Sequence, residues 1–326
     1  MRLDSPRTWS RGLLGLLLAG LLLLPLVTPR FYPYLAMQVL ILSLMALGFN
    51  LLFGYTGLLS FGHAAFYAAG AYGTGLLLKH TGVSLLPAVL GGAVAATLLA
   101  VVIGCFCVRH LAIYFAMLTL AFGMMIHSVV WKWRDVTGGD DGLIGIPRAA
   151  LALPGLGSVP MVDQTAYYYF VLAVSLAAIV ALRRVVRSPF GMVLQAIREN
   201  EERAAFAGFT VWRYRLGAFV LSGAYAGLAG AMLAPLENTV APGVAHWTKS
   251  AEPVLATLLG GPYVFSGPIV GSVLFLLLKE AVVRVTQYWL LVFGVVLLAL
   301  VLGFRGGFVG ALVAWGRRLG RGLGPG

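Results

Sequence analysis

Asn50, Ser60 and His63 stand among three glycines in the stretch Asn50-Leu-Leu-Phe-Gly54-Tyr-Thr-Gly57-Leu-Leu-Ser60-Phe-Gly62-His63-Ala-Ala-Phe66. An amide, a hydroxyl and an imidazole can each donate and accept hydrogen bonds. That chemistry suits holding a polar solute, or satisfying backbone groups freed where a helix breaks inside a membrane protein. Gly54, Gly57 and Gly62 each cost about 1 kcal/mol relative to alanine in a helix, so the spacing predicts a broken helix. Broken helices near the bilayer midplane form hinge or substrate sites in transporters. Asn50, Gly54, Tyr55, Gly57, Ser60, Gly62 and His63 are therefore candidates for a translocation pathway. They act there either as a packing hinge with His63 as internal hydrogen-bond partner, or in contact with the solute. Asn50, Ser60 or His63 is expected to satisfy the freed backbone.

A second segment, Thr137-Gly138-Gly139-Asp140-Asp141-Gly142-Leu143-Ile144-Gly145-Ile146-Pro147, combines clustered glycines with two acids. The acids are not at calcium-loop spacing, so a rigid turn fits better than a cation site. Glu237, His246 and Glu252 flank the last broken region and are either functional or simply solvated. Ser222-Gly223, Gly227 and Gly230 recur at helical spacing and predict a small-residue packing face. Cys105 and Cys107, two apart in an apolar run, point to different faces and read as two buried hydrophobes rather than a disulfide or a metal site. No Gly-rich loop ending in Lys-Ser/Thr, nucleophile elbow, His-Glu-x-x-His or paired-cysteine spacing occurs, so neither ATP binding nor an enzyme is supported.

The third segment runs from Arg187 to Arg203. Ser188 followed by Pro189 marks an N-cap and first helical position. Phe190, Val193, Leu194 and Ile197 then share one face, with Gly191 between them and Arg198, Glu199, Glu201 and Glu202 on the rest. The polar face carries acids, unlike that of an interfacial membrane helix, so a groove in a partner protein is expected to cover the apolar one.

The elements that position these residues are membrane spans. Of 326 residues, 60% are hydrophobic and 10% charged, where a soluble domain keeps about a quarter charged. Apolar runs cover Gly12 to Leu24 and then roughly 34–53, 61–78, 84–108, 111–131, 166–182, 215–235, 252–283 and 287–303. The 252–283 run is broken by Gly260, Gly261, Pro262, Gly267 and Pro268, and reads as two short or re-entrant segments. The expectation is an all-α polytopic membrane protein with eight to ten segments and no soluble appendage. The first run, basic at its start but lacking a small-x-small cleavage site, reads as a retained helix rather than a signal peptide. Placing the N-terminus, the 109–110 turn, the 183–215 loop and the C-terminal tail on one side collects 15 of the 23 Lys and Arg. By the positive-inside bias both termini are then cytoplasmic, with the 132–165 and 237–250 loops outside. The same bias accounts for the net charge of +12. No basic stripe interleaved with aromatics appears, so nucleic acid is not expected.

At these three segments the sequence resembles the branched-chain amino-acid ABC permease family. Asn50 to Phe66 is similar to its Asn-Leu…Gly-Tyr-x-Gly-x-x-Ser-x-Gly-His-Ala pattern, and Thr137–Leu143 to its Thr-Gly-Gly-x-Asp-Gly-Leu loop. Ser188–Asn200, continued by Ala204, Ala205 and Gly208, is similar to its Ser-Pro-Phe-Gly…Ala-Ile-Arg-Glu-Asn segment. The similarity runs from about 35 to 303. It departs at Tyr263 and Val264, which replace Gly and Thr of the family's Gly-Gly-x-Gly-Thr-x-x-Gly-Pro, and that bears on substrate preference. The resemblance implies one transmembrane permease domain over 1–326, in the inner membrane, working with a second homologous permease. Two cytoplasmic ATPase subunits would bind ATP and magnesium, with no cofactor in this chain, and a periplasmic solute-binding protein would touch the 132–165 loop. The 188–208 segment would couple to the ATPases through Ser188, Pro189, Phe190, Gly191, Val193, Leu194, Ile197, Arg198 and Glu199. The solute would be leucine, isoleucine, valine or a similar small molecule, urea and short amides being carried by relatives. An ion-coupled carrier is the principal rival, but the spans hold almost no acids for Na⁺ or H⁺, Glu252 being the nearest.

Overall fold

The computed structural model describes residues 11–110, 112–153, 157–285, 287–288, 291–292, 294–295, 298–299 and 307–310. The span expected at 287–303 falls largely outside them, as do Arg2, Arg7 and the arginines of the tail.

The described chain is helical: α1 (Arg11–Val27), α2 (Phe31–Thr56), α3 (His63–His80), α4 (Leu85–Cys107), α5 (Ala112–Lys132), α6 (Arg134–Thr137), α7 (Gln164–Arg187), α8 (Pro189–Glu199), α9 (Glu201–Phe206), α10 (Val211–Glu237), α11 (Trp247–Gly260) and α12 (Gly267–Val285). Of these, α2, α4, α5, α7 and α10 are long and apolar enough to cross a membrane. With α1, α3, α11 and α12 they bring the segments within the expected eight to ten. The run at 252–283 is split as expected, with the break at 261–266 and α11 starting earlier, at Trp247. Several helices outrun their apolar runs, because an intrahelical ladder needs no apolar side chain to continue. Thus α7 carries on through Arg183, Arg184 and Arg187 and stops at Ser188, whose extended backbone (φ −77°, ψ 168°) is the conformation a following proline imposes.

Small residues draw α3, α4 and α10 together. A β-carbon at Gly70 would collide with the Gly227 carbonyl, and one at Gly230 with the Tyr67 carbonyl, so the two backbones touch at the predicted small-residue face. Against this slab lies α2, buried along most of its length, and the α11–α12 hairpin packs on α2. Apolar side chains point outward from α4 (Leu90, Val94, Leu98, Phe106) and α5 (Ile113, Tyr114, Met117), as lipid or another subunit allows. Cys107 is buried, but Cys105 is exposed on that outward face, which corrects the expectation that both are interior. An apolar face turned to hydrocarbon has the same composition as one turned to a core.

The loops after α5 and α10 meet in a two-stranded pairing, β1 (Leu143–Ile144) with β4 (Thr239–Val240), so the two loops expected on one side do lie together. A second hairpin, β2 (Leu151–Leu153) with β3 (Gly157–Val159), lies between β1 and α7. Arg148 donates from Nε to the Pro235 carbonyl (2.8 Å) and from Nη2 to that of Leu236 (2.9 Å), closing the open end of α10.

Candidate functional site

The chain breaks helix at 57–62 and at 261–266. At the first break Gly57 takes a left-handed backbone (φ 77°), and its N–H bonds the Phe53 carbonyl while that of Leu58 reaches Leu52. This cap needs the positive φ that glycine adopts without strain. The next freed groups find hydroxyls. Phe61 N donates to Thr119 Oγ1 (3.2 Å) of α5, Gly62 N to Ser60 Oγ (3.3 Å), and Ala64 N to Ser250 Oγ (2.8 Å) of α11. Ser60 thus acts as expected. His63 instead bonds Ser222 Oγ of α10 through Nε2 at 2.7 Å, and packs edge-on against Phe49. Asn50 satisfies no backbone group: it is 1% exposed, and neither amide atom has a hydrogen-bond partner. Tyr55 is buried in the main core cluster. Sequence reasoning missed Thr119 and Ser250, which no spacing set apart from the other hydroxyls of α5 and α11.

The helix α8 forms as predicted, with one change at its start. Ser188 occupies the N-cap position, but its Oγ donates backward to the Val185 carbonyl (2.6 Å) of α7 instead of capping α8. Asn200 begins α9 by accepting from Arg203 N (2.8 Å). The expectation that a partner covers the apolar face is overturned. Gly191, Val193, Leu194 and Ile197 are buried within this chain, Val193 and Ile197 in a cluster with Ala204 flanked by Val211 and Tyr214. Phe190, half-buried, stacks on Tyr214 at 5.8 Å. Because the chain folds back at 200–210, α9 and the start of α10 cover what the 3.6-residue period showed only as an apolar stripe. The outward side of α8 presents Pro189, Met192, Ala196 and Glu199. Glu201 accepts both Nη groups of Arg215 (2.7 and 2.9 Å), tying α9 to α10.

Arg198 leaves this surface and reaches inward. Its Nη1 donates to the Gly54 carbonyl, one of those at the end of α2, and its guanidinium lies 5.3 Å from the centre of the Tyr263 ring, in the second break. Its stem runs beside Gly57. A β-carbon at Gly54 would strike Asn50 of the same helix and the Pro262 carbonyl, so the end of α2 abuts the second break there. Arg198, the end of α2 and the 261–266 break are therefore one assembly, which no sequence spacing indicated. Tyr263, one of the two residues departing from the family pattern, is part of it.

At the other end of α2, Tyr34 donates to Glu237 Oε1 (2.6 Å) and accepts from Gln38 Nε2 (2.9 Å). Lys249 donates to Glu252 (2.6 Å) and lies over the Tyr67 ring, with Lys279 3.7 Å from Glu252 on its other oxygen. His246 starts α11 and meets His127 ring to ring at 5.2 Å. In the loop after α5, Thr137 Oγ1 donates within hydrogen-bonding distance of the Val130 (2.6 Å) and Trp133 (2.7 Å) carbonyls. Gly138, Gly139 and Gly142 all have positive φ around a 3-10 turn that holds Asp140 and Asp141. Asp140 lies 3.8 Å from Arg134 in an exposed pair. The segment thus forms a turn. Among the described residues no group of three or more His, Cys, Asp or Glu is placed to hold a metal.

Five helices long and apolar enough to cross a membrane, with helix breaks after α2 and α11 that carry the hydroxyls of Ser60 and Ser266, make this an all-α polytopic membrane protein. The chain belongs to the branched-chain amino acid transport system / permease component family, whose profile matches residues 32–301. It is 27% identical over 289 residues to the high-affinity branched-chain amino acid transport system permease protein LivM of Escherichia coli K12, covering 83% of this chain and 68% of that one. It is 24% identical to the probable branched-chain amino acid transport permease protein LivH of Methanocaldococcus jannaschii (71% and 74% covered). A shorter match, 30% identical over 108 residues (32% and 33% covered), is to the guanosine ABC transporter permease protein NupQ of Bacillus subtilis. No solved structure matches the chain.

Proposed function

We propose that this chain is the membrane subunit of an ATP-driven importer that carries leucine, isoleucine, valine or a similarly small solute across the inner membrane. Both termini and α8 are cytoplasmic in this reading, the 132–165 loop is periplasmic, and residues 1–326 act as a single permease domain. The observation that carries it is α8, a helix whose apolar face is anchored on the chain's own helices while a second face stays open to solvent. Anchored so, it can pass a push from a partner into the spans. Two ATPase subunits, binding ATP and magnesium, would dock on Pro189, Met192, Ala196 and Glu199. A second homologous permease would complete the pathway, and a periplasmic binding protein would deliver solute to the Thr137–Gly142 turn. Membership in the family and likeness to LivM support branched-chain amino acids. The partial likeness to a guanosine permease, and the family's urea and amide carriers, make those solutes the alternatives.

The test is co-expression of the tagged chain with candidate ATPase and permease subunits, followed by reconstitution. ATP-dependent leucine uptake by a complex holding all three supports the reading. Uptake by the chain alone, driven by an ion gradient and indifferent to ATP, replaces it with a carrier.

A further inference from the structure

We infer that Arg198 is a clasp joining the cytoplasmic helix α8 to both helix breaks, and that the Tyr263 ring sets how firmly it holds. The inference rests on the importer reading above for its direction of action, but its contacts do not. The guanidinium of Arg198 makes two contacts, one beside the first discontinuity and one within the second. One is a charge-assisted hydrogen bond to Gly54 O, at the end of α2 before the 57–62 break. The other is a cation–π contact, at 5.3 Å, with Tyr263 in the 261–266 break. Arg198 itself lies on a helix pinned by its neighbours. Ile197 and Leu194 are buried next to Arg198, and Glu201, two residues beyond the end of α8, is held by Arg215. A displacement of α8 therefore cannot leave Arg198 behind, and moving Arg198 must either drag both breaks or let go of them.

Two further observations bear on how firmly this junction is closed. Gly54 packs against Asn50 and the Pro262 carbonyl with no room for a β-carbon, so in this arrangement the end of α2, just before the first break, is closed on the second break. Yet Asn50, in the middle of that contact, has both amide atoms buried and unpaired. Closure leaves a polar group unmet that separation of the breaks would expose to water or solute, so the clasp works against an opposing term. A planar fork over an aromatic ring is a task for arginine rather than lysine, which places charge but cannot stack and bond at once.

The experiment uses the full chain, alone and in the reconstituted complex, with Arg198→Lys, Tyr263→Gly, Tyr263→Phe and the Arg198→Lys/Tyr263→Gly pair. On the chain alone, amide hydrogen exchange is read at 57–62 and 261–266, with α10 as internal reference. Tyr263→Gly is expected to speed exchange at both breaks by about 3- to 10-fold, the factor a partly desolvated cation–π contact supplies, and Tyr263→Phe to leave it unchanged. In the complex, solute moved per ATP hydrolysed should fall with Tyr263→Gly while assembly and basal hydrolysis stay as they are. Adding Tyr263→Gly to Arg198→Lys should do little more, since both act on one contact. Equal effects of Tyr263→Gly with and without Arg198, or acceleration confined to 261–266, would overturn the clasp. If the wild-type complex shows no ATP-dependent transport, the importer reading fails by itself, and the exchange data still decide the clasp.

Discussion

Ile197→Ala and Met192→Glu should separate two roles that lie five residues apart on one helix. Ile197 is 2% exposed and closes a small cluster with Val193, Ala204, Val211 and Tyr214. This helix is read as lying outside the bilayer, so the aqueous scale applies. Truncating a buried Ile to Ala costs about 2–5 kcal/mol by lost transfer and cavity, and the small cluster, able to relax, points to about 2–3 kcal/mol of that range. Met192 is 60% exposed, and a substitution there stays within about 0.5 kcal/mol of wild-type stability. Its loss should be felt in assembly instead. A glutamate forced into the centre of a docked interface costs about 2 kcal/mol or more, some 30-fold in affinity for the ATPase. Thermal unfolding of the detergent-solubilised chain reads the first effect, and co-purification of the ATPase subunit reads the second. Ile197→Ala should lower the melting temperature, and Met192→Glu should hold it while losing the ATPase. An unchanged melting temperature for Ile197→Ala together with a lost ATPase would refute the reasoning, because it would mean the apolar face is covered by the partner after all.

Three other perturbations test the α9–α10 tie, the α2–α10 contact and the junction at Asn50. Glu201→Gln leaves the Arg215 guanidinium, whose side chain is 8% exposed, without its carboxylate; a loss of about 1.5–3 kcal/mol, the worth of hydrogen bonds to a charged group, should appear as earlier unfolding and faster amide exchange in α9. Gly48→Ala would put a β-carbon 2.8 Å from Tyr225 Cβ and 2.9 Å from the Ser222 carbonyl; the α2–α10 contact should widen at about 1–3 kcal/mol, visible as a lower melting temperature, and a neutral result would show those helices already separate. Asn50→Leu removes two buried unpaired polar atoms without changing volume much, so the chain should gain about 1–3 kcal/mol in detergent while transport slows, because the closed junction is favoured; a destabilised chain would mean Asn50 has a partner in the membrane.

The spans and the two breaks were legible because hydropathy and glycine act locally. A run of apolar residues needs no neighbour to identify it, and a glycine such as Gly57 permits a left-handed helix end whatever surrounds it. The small-residue face of α10 was legible for the same reason, although its partner, Gly70, was not. What stayed hidden depends on pairs far apart in sequence. Ser250 serves Ala64 across 186 residues, and Arg198 reaches Gly54 across 144. An apolar stripe on α8 announces that something covers it without saying what, and chain reversal at 200–210 supplied the cover from within. The period of Phe190, Val193, Leu194 and Ile197 therefore gave the helix correctly and its exposed face wrongly.

These contacts also restrict what can move. The backbones of α3 and α10 touch at Gly70, Gly227 and Gly230, and α4 fits against both through Gly92 and Ala96, so no sliding is available there without collision. That slab is the fixed part. Helix α2 joins that slab where Gly48 leaves no room for a β-carbon against Ser222 and Tyr225 of α10, and elsewhere it is tied by single hydrogen bonds: Tyr34 and Gln38 on Glu237 at one end, Thr257 Oγ1 on the Ala46 carbonyl (3.4 Å) in the middle, and Arg198 on Gly54 at the other end. Hydrogen bonds of this kind can be exchanged one at a time, whereas interlocked backbones cannot. The α11–α12 hairpin packs on α2 and reaches the slab edge through Ser250 on Ala64. In the importer reading proposed above, a push on α8 would therefore be taken up beyond the Gly48 contact, by the last turns of α2 and by the hairpin, with the breaks at 57–62 and 261–266 absorbing the change in backbone angle.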